Sequence, residues 1–205
     1  MEDPGDAQRY YEEHAQAFFD RTVMLPMTAV LAHFVGHVRA GGAVLDAGCG
    51  SGRDALTLHQ LGFAVSAFDA SAALASLATE HAGLPVERLA FAELTYDSCF
   101  DGIWACASLV HLPPDEMAGA LANLVCALKP GGILYVSLKE GSEPYVDSHG
   151  RYFNRYSQEK ARSLLESAGL FVRHSWPSTH VGDPGTTWVN VIAHKVDSRA
   201  TSLAP

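Results

Sequence analysis

The chain has 205 residues, 48% hydrophobic and 18% charged, which is long enough to bury one sizeable core and is the composition of an ordinary globule. Fourteen Lys and Arg stand against 23 Asp and Glu, a formal net charge of −9 without any basic run, and this argues against nucleic acid as a partner. No apolar stretch approaches the ~20 residues that span a bilayer, and the acidic start lacks a basic signal-peptide region, so no membrane association and a cytoplasmic location are expected. Cys49, Cys99, Cys106 and Cys126 show neither C-x-x-C spacing nor an accompanying His-x-x-x-His, so free thiols are expected and no metal site.

Residues 7–40 precede the first strand. Tyr10, Tyr11, His14, Ala15, Phe18 and Phe19 recur at three- and four-residue spacing and predict a helix with an aromatic face. A second helix over about 25–38 leads into the Gly41-Gly42 turn. The run Val44-Leu45-Asp46-Ala47 then reads as a short buried strand, followed by Gly48-Cys49-Gly50-Ser51-Gly52 and a helical pattern over 53–61 that Gly62 stops. Glycine is needed where the backbone turns sharply or lies directly against a ligand, and the following helix aims its free N–H groups at the turn. A dinucleotide fingerprint would place glycine at the sixth loop position, where this chain has Arg53.

A second strand over 64–68 ends at Asp69, ahead of a helix over 71–81. A carboxylate at that strand end can accept two hydrogen bonds from a ribose diol, and the same position also suits a helix cap before Ser71. A third strand is expected over 86–91, followed by Ala92 and Glu93. Phe100-Asp101-Gly102-Ile103-Trp104-Ala105-Cys106 forms a fourth strand, which a turn ending in His111-Leu112-Pro113 follows. A helix over 115–128, a tight turn at Leu128-Lys129-Pro130-Gly131-Gly132 and a fifth strand over 133–139 come next. Residues 141–156 are a polar insertion carrying Arg151, Tyr152 and Phe153. A helix over 157–168, a strand over 171–175, a hairpin-like link over 176–187 and a strand over 188–195 complete the pattern.

Asp-Ala-Gly-Cys-Gly-Ser-Gly at 46–52 resembles motif I of the class I S-adenosylmethionine-dependent methyltransferases. The Phe-Asp strand closing on His-Leu-Pro and the Leu-Lys-Pro-Gly-Gly turn resemble later motifs of that superfamily, so the likeness covers 43–195 in order. It is similar to the tellurite-resistance-type and ubiquinone-biosynthesis-type small-molecule enzymes. The resemblance implies an α/β fold: a doubly wound, Rossmann-like, seven-stranded sheet with an antiparallel last strand and helices on both faces. It implies one domain over 1–205, made of a helical cap at 1–40, a core at 41–195 with the insertion 141–156, and a flexible tail at 197–205.

The cofactor implied is S-adenosyl-L-methionine. Asp46, Gly48, Cys49, Gly50 and Arg53 would face its methionine end, Asp69 and Ala70 its ribose, Ala92 and Glu93 its adenine, and Ala105 and Cys106 its ammonium. The resemblance places Tyr11 and His111 at the reacting methyl. His111 has a side chain whose ordinary pKa suits a general base, or it is structural, as in many relatives. Tyr10, Arg21, Arg151, Tyr152 and Phe153 would face the acceptor, or pin the helix and the insertion to the core. The acceptor expected is a small molecule of open identity, and oligomeric state is open too. A nicotinamide-dependent oxidoreductase, a non-catalytic cofactor-binding module and a macromolecular methyltransferase stand as alternatives.

Overall fold

The structure, a computed structural model, describes residues 5–180 and 183–196, so the tail expected at 197–205 lies outside the described residues. Two helices, α1 (Gly5–Glu13) and α2 (Ala15–Thr22), replace the single helix expected at the N-terminus. They break at His14, whose φ of −118° and ψ of 22° leave the helical basin and whose Nδ1 lies 3.0 Å from the Tyr10 carbonyl. The next helix, α3 (Thr28–Val35), is shorter than the pattern suggested.

Alternation then takes over. Strands β1 (Ala43–Ala47), β2 (Ala64–Asp69), β3 (Val86–Arg88), β4 (Phe100–Cys106) and β5 (Leu128–Glu140) are linked by α4 (Arg53–Gln60), α5 (Ala72–Ala82) and α6 (Pro114–Ala127). After β5 the insertion forms the short strands β6 (Tyr145–Val146), β7 (Tyr152–Phe153) and β8 (Arg155–Tyr156). Helix α7 (Gln158–Ser167), β9 (Leu170–His180) and β10 (Asp183–Lys195) follow. The main sheet runs β3-β2-β1-β4-β5-β10-β9, with β8 beside the end of β5. Strands β1 to β5 are mutually parallel, and β10 lies antiparallel between β5 and β9. This is the doubly wound sheet with an antiparallel last strand that the sequence implied.

Successive strand side chains point to opposite faces, and both faces are covered, so the central strands read as continuous apolar runs. Leu45, Ile103, Leu134 and Val191 pack with Leu121 and Leu124 of α6 and Leu165 of α7. Their neighbours Val44, Trp104, Tyr135 and Ile192 pack on the other face with Leu31 and Phe34 of α3 and Leu58 of α4. Trp104 and Tyr135 stack there at 3.9 Å between ring centres. Each buried polar end is bonded: the Trp104 indole donates to Asp54 and the Tyr135 hydroxyl donates to Asn190. Among the described residues no helix is long and apolar enough to cross a membrane.

Three further boundaries differ from the sequence reading. Strand β3 stops at Arg88, and Phe91–Glu93 coils into a short 3-10 turn. The Leu-Lys-Pro-Gly-Gly turn lies inside β5: Leu128 pairs with Phe100 and Ile133 with Gly102, so residues 129–132 bulge out of the ladder. Most of the link expected over 176–187 is paired strand, with Trp176 opposite Asn190 and Ser178 opposite Trp188.

Gly102 has no room for a side chain, because a Cβ there would stand 2.8 Å from both Phe34 and Val38. Gly119, in the middle of α6, has open space around it. Gly102→Ala is therefore expected to destabilise the protein by about 1–3 kcal/mol through overpacking. Gly119→Ala is expected to stabilise it by about 0.5–1 kcal/mol through helix propensity. Urea denaturation of the two variants checks the opposite signs.

Candidate functional site

The carboxyl ends of β1, β2 and β4 meet at the glycine loop, the crevice where open α/β sheets bind ligands. Gly48, Gly50 and Gly52 have φ of +73°, +55° and +73°, in the left-handed region that glycine enters without strain. A Cβ on Gly48 would sit 2.5 Å from the Ser108 Cβ, and one on Gly50 would sit 3.1 Å from the Phe18 ring. The loop's donors are turned inward. Gly48 and Cys49 donate to the Phe68 carbonyl at 3.0 and 2.9 Å, and Gly52 donates to Cys49 at 3.0 Å. Gly50 donates to Asp69 Oδ2 at 2.9 Å. Asp69 Oδ1 also accepts from Ser71 N–H at 3.0 Å, so one carboxylate joins the glycine loop to the start of α5. With about four acceptor sites per carboxylate, Asp69 retains capacity for a ligand.

Asp46 is buried at 2% exposure, and its Oδ2 has no hydrogen-bond partner among the described residues. Loss of solvent, then the neighbouring Asp54, raise its pKa well above the carboxylate range. Loss of solvent raises Asp69 as well, against the bonds it accepts from backbone. The Ser108 hydroxyl, beside Gly48, is the second buried polar atom here that lacks a partner among the described residues. Arg53 is engaged with Asp54 through two bonds of 2.7 and 2.8 Å, and with the Thr22 carbonyl of α2 at 3.2 Å. Its fork ties α2 to the loop.

Beyond β4, Ala107 adopts φ +55°, unusual for a residue with a Cβ, and its N–H donates to Ser137 Oγ at 2.8 Å. The chain then turns through Leu109–His111 and brings His111 under the insertion. Asn154 N–H donates to the Val110 carbonyl at 2.7 Å, and the Phe153 ring lies 4.5 Å from the imidazole. His111 Nδ1 is 2.8 Å from the Tyr152 carbonyl, and Nε2 is 2.9 Å from the Tyr11 hydroxyl. Arg151 Nη1 donates to that hydroxyl at 3.2 Å, while its other nitrogens bond Asp147 at 2.6 and 2.9 Å. The Arg151 guanidinium also stacks 4.3 Å above the Tyr10 ring. Burial raises Tyr11 to about 12 and lowers His111 to about 4, the latter with help from Arg151 and Lys139.

The residues singled out from the sequence thus divide. Tyr10, Tyr11, His111, Arg151, Phe153 and the Tyr152 backbone come together, and Tyr11 reaches the glycine loop through the Phe18 ring at 5.0 Å. Ala105 and Cys106 end β4, with the Cys106 thiol raised to about 12 by burial and bonded by Ser137. Ala70 borders the loop, and its carbonyl accepts from Gln8. Ala92 and Glu93 are exposed, and the Glu93 carboxylate accepts from the Ala90 N–H at 2.7 Å. Arg21 is exposed and lies over Phe18 at 5.6 Å. Sequence reasoning missed Ser108 and Asp147. It also missed Glu12, whose carboxylate accepts from Ser71 Oγ at 2.6 Å and latches α1 onto α5. Only the placement of Ser108 three residues before His111 was visible in the chain.

The depressed His111 pKa carries a stability consequence. An unfolded His111 takes up its proton near the ordinary 6.5, and the folded one only near 4. Its contribution to stability is therefore fully present above pH 6.5 and lost as pH falls from 6.5 to 4. The loss is on the order of 3 kcal/mol. His111→Gln can keep both hydrogen bonds without titrating. Chemical denaturation across that window is expected to show the variant losing less stability than wild type, and parallel curves would refute the assignment.

Residues 44–132 match the family described as Methyltransferase domain. The chain is 29% identical over 144 residues to an uncharacterised methyltransferase of Staphylococcus carnosus, covering 70% of this chain and 66% of that protein. It is 33% identical over 163 residues to a malonyl-[acyl-carrier protein] O-methyltransferase of Erwinia pyrifoliae, covering 74% and 55%. The chain thus spans less than two thirds of these curated relatives. A crystal structure of the Burkholderia thailandensis 1,6-didemethyltoxoflavin-N1-methyltransferase, with S-adenosylhomocysteine bound, superposes with a TM-score of 0.76 at 25% identity. The match covers 95% of this chain and 87% of that one. The strand order, the glycine loop and its strand-two carboxylate agree with these methyltransferases, and residues 44–132 form a methyltransferase domain.

Proposed function

We propose that the protein transfers a methyl group from S-adenosylmethionine to a small-molecule acceptor, within one domain whose N-terminal 40 residues cap the cleft. The observation that carries this reading is the state of the glycine loop. Four of its N–H groups are bonded inside the protein, and Asp46, Asp54 and Asp69 surround it with, among the described residues, a single, already paired cation, Arg53. A pyrophosphate needs free N–H donors and positive potential, as at a nucleotide-binding helix N-terminus. A ligand carrying an ammonium and a positive sulfur fits an acid-lined loop instead. This favours the sulfonium cofactor over a nicotinamide dinucleotide.

In this reading Asp46 Oδ2 and Ser108 Oγ, the two buried atoms at the loop that have no partner among the described residues, receive the methionine end together with the backbone of Gly48, Cys49, Ala105 and Cys106. Asp69 and Ala70 take the ribose, and Ala92 and Glu93 the adenine edge. Arg53 acts by holding α2 and Asp54 in place. The bound cofactor supplies an activated methyl on positively charged sulfur. The protein's own task is positioning, which can supply about 7–11 kcal/mol when reacting atoms are held near contact. Tyr10, Tyr11, His111, Arg151 and Phe153 enclose the acceptor side, with Arg21 and Tyr152 at its margin. The structure of the 1,6-didemethyltoxoflavin-N1-methyltransferase, which holds 1,6-didemethyltoxoflavin, supports an acceptor of the same small-molecule class.

Calorimetric titration with S-adenosylhomocysteine is expected to give near-micromolar affinity, ~−8 kcal/mol, and titration with NAD no binding. Radiolabelled methyl incubated with a metabolite extract is expected in dialysable products; label held in macromolecules would overturn the small-molecule assignment, and no transfer would leave a binding module. Asp69→Ala is expected to weaken cofactor binding by ~1.5–3 kcal/mol. Gly50→Val, which places a side chain against Phe18 at a left-handed position, is expected to abolish it. A folded Gly50→Val variant that binds normally would contradict the loop's role.

A further inference from the structure

The hydrogen-bond chain on the acceptor side has a direction that its chemistry dictates. The Tyr152 carbonyl can only accept, so His111 Nδ1 carries the ring proton and Nε2 of the neutral imidazole presents a lone pair. The Tyr11 hydroxyl, 2.9 Å away, therefore donates to Nε2. Arg151 donates to the Tyr11 oxygen at 3.2 Å. A phenolic oxygen has one proton and two acceptor sites, so one acceptor site of Tyr11 is left after Arg151 takes the other. The partners are held from several sides: the insertion bonds the His111 turn through Asn154, Asp147 fixes Arg151, and Tyr11 abuts Phe18, which covers Gly50. The remaining site thus belongs to a rigid chain next to the cofactor loop.

Resting on the methyltransferase reading, we propose that Tyr11 and His111 form a proton relay and that the acceptor is an O–H or N–H acid, such as a phenol, an enol or a heteroaromatic N–H. The acceptor's heteroatom bonds the methyl carbon, and the carbon–sulfur bond breaks with its electron pair passing to sulfur. The acceptor's proton moves to Tyr11 Oη as the Tyr11 proton moves to His111 Nε2, and the imidazolium returns its proton through Tyr11 to water entering as the methylated product leaves. Tyr11 is the catalytic residue, because it touches the acceptor; His111 acts through it.

The surroundings narrow the acceptor's acidity. Arg151 and Asp147 face the pair from the insertion, Lys139 from β5, Tyr10 from α1 and Asp69 from β2. Burial, Arg151 and Lys139 all disfavour an imidazolium, so His111 is a weak base. Arg151 meanwhile favours negative charge at the Tyr11 end. A weak base beside a cation suits an acceptor about as acidic as a phenol, pKa ~10, and fails with an aliphatic alcohol. A thiolate or a carboxylate, already ionised, would need no relay.

The test uses the whole protein with S-adenosylmethionine, a series of para-substituted phenols, and matching thiophenols. Methyl transfer to the phenols is expected. In assays at pH ~8.5, Tyr11→Phe is expected to lower kcat with para-cresol by ~10²-fold or more and to change it little with para-nitrophenol, which is then largely ionised while para-cresol is not. His111→Gln should show the same split. Both variants should keep the wild-type affinity for S-adenosylhomocysteine by calorimetry. In a separate readout, 15N spectra of histidine-labelled protein should show an unprotonated Nε2 on His111 whose signal shifts in Tyr11→Phe. Equal rate losses on both phenols, a preference for thiophenols, or no phenol turnover by a protein that binds S-adenosylhomocysteine would overturn the relay alone. A wild type that binds no S-adenosylhomocysteine would overturn the methyltransferase reading beneath it.

Discussion

One carboxylate organises the cleft. Asp69 accepts from Gly50 in the loop after β1 and from Ser71 at the start of α5, so the end of β2 sets the shape of the glycine loop and the direction of the next helix together. Charge-assisted bonds of this kind are about twice as strong as neutral ones, and here both donors are backbone groups whose loss would leave them unpaired. The same residue retains acceptor capacity toward the crevice. One side chain thus sets two elements of the fold, at the cost of keeping a carboxylate where solvent is largely excluded.

The acid-rich loop depends on that arrangement and on two flanking devices. Arg53 answers Asp54, and Asp54 in turn accepts from the Trp104 indole, so a charged pair at the loop is anchored in the aromatic stack on one sheet face. Asp46 has no such partner on one oxygen, and burial, then the neighbouring Asp54, push it toward the neutral form. An arriving cation would restore its charge.

The acceptor side is assembled differently. Tyr11 comes from the N-terminal helices, His111 from the turn after β4, and Arg151 with Asp147 from the insertion after β5. Two clamps bring these segments together: the insertion's backbone bonds to the His111 turn, and Glu12 and Gln8 latch α1 to the β2–α5 corner. The cap and the insertion also meet directly, where Arg151 stacks on Tyr10. Residues 100 or more apart in the chain therefore share one buried hydrogen-bond chain, and its order follows from a carbonyl that can only accept.

The chain by itself determined the sheet and the loop, because both rest on short-range pattern. Apolar runs punctuated by glycine specify a strand, a turn and a helix within a dozen residues, and a carboxylate one strand–helix passage later must fall beside that turn in any right-handed βαβ unit. Asp46, the glycines and Asp69 were legible for that reason. Only the tertiary structure decided that Arg53 faces Asp54, that Glu93 turns back to the Ala90 N–H, that residues 129–132 bulge within β5, and that the Ser108 hydroxyl is buried beside Gly48 without a partner among the described residues. It alone joined Tyr11, His111 and Arg151, since hydrogen bonds between distant segments depend on how packed elements meet, and no local periodicity encodes that meeting.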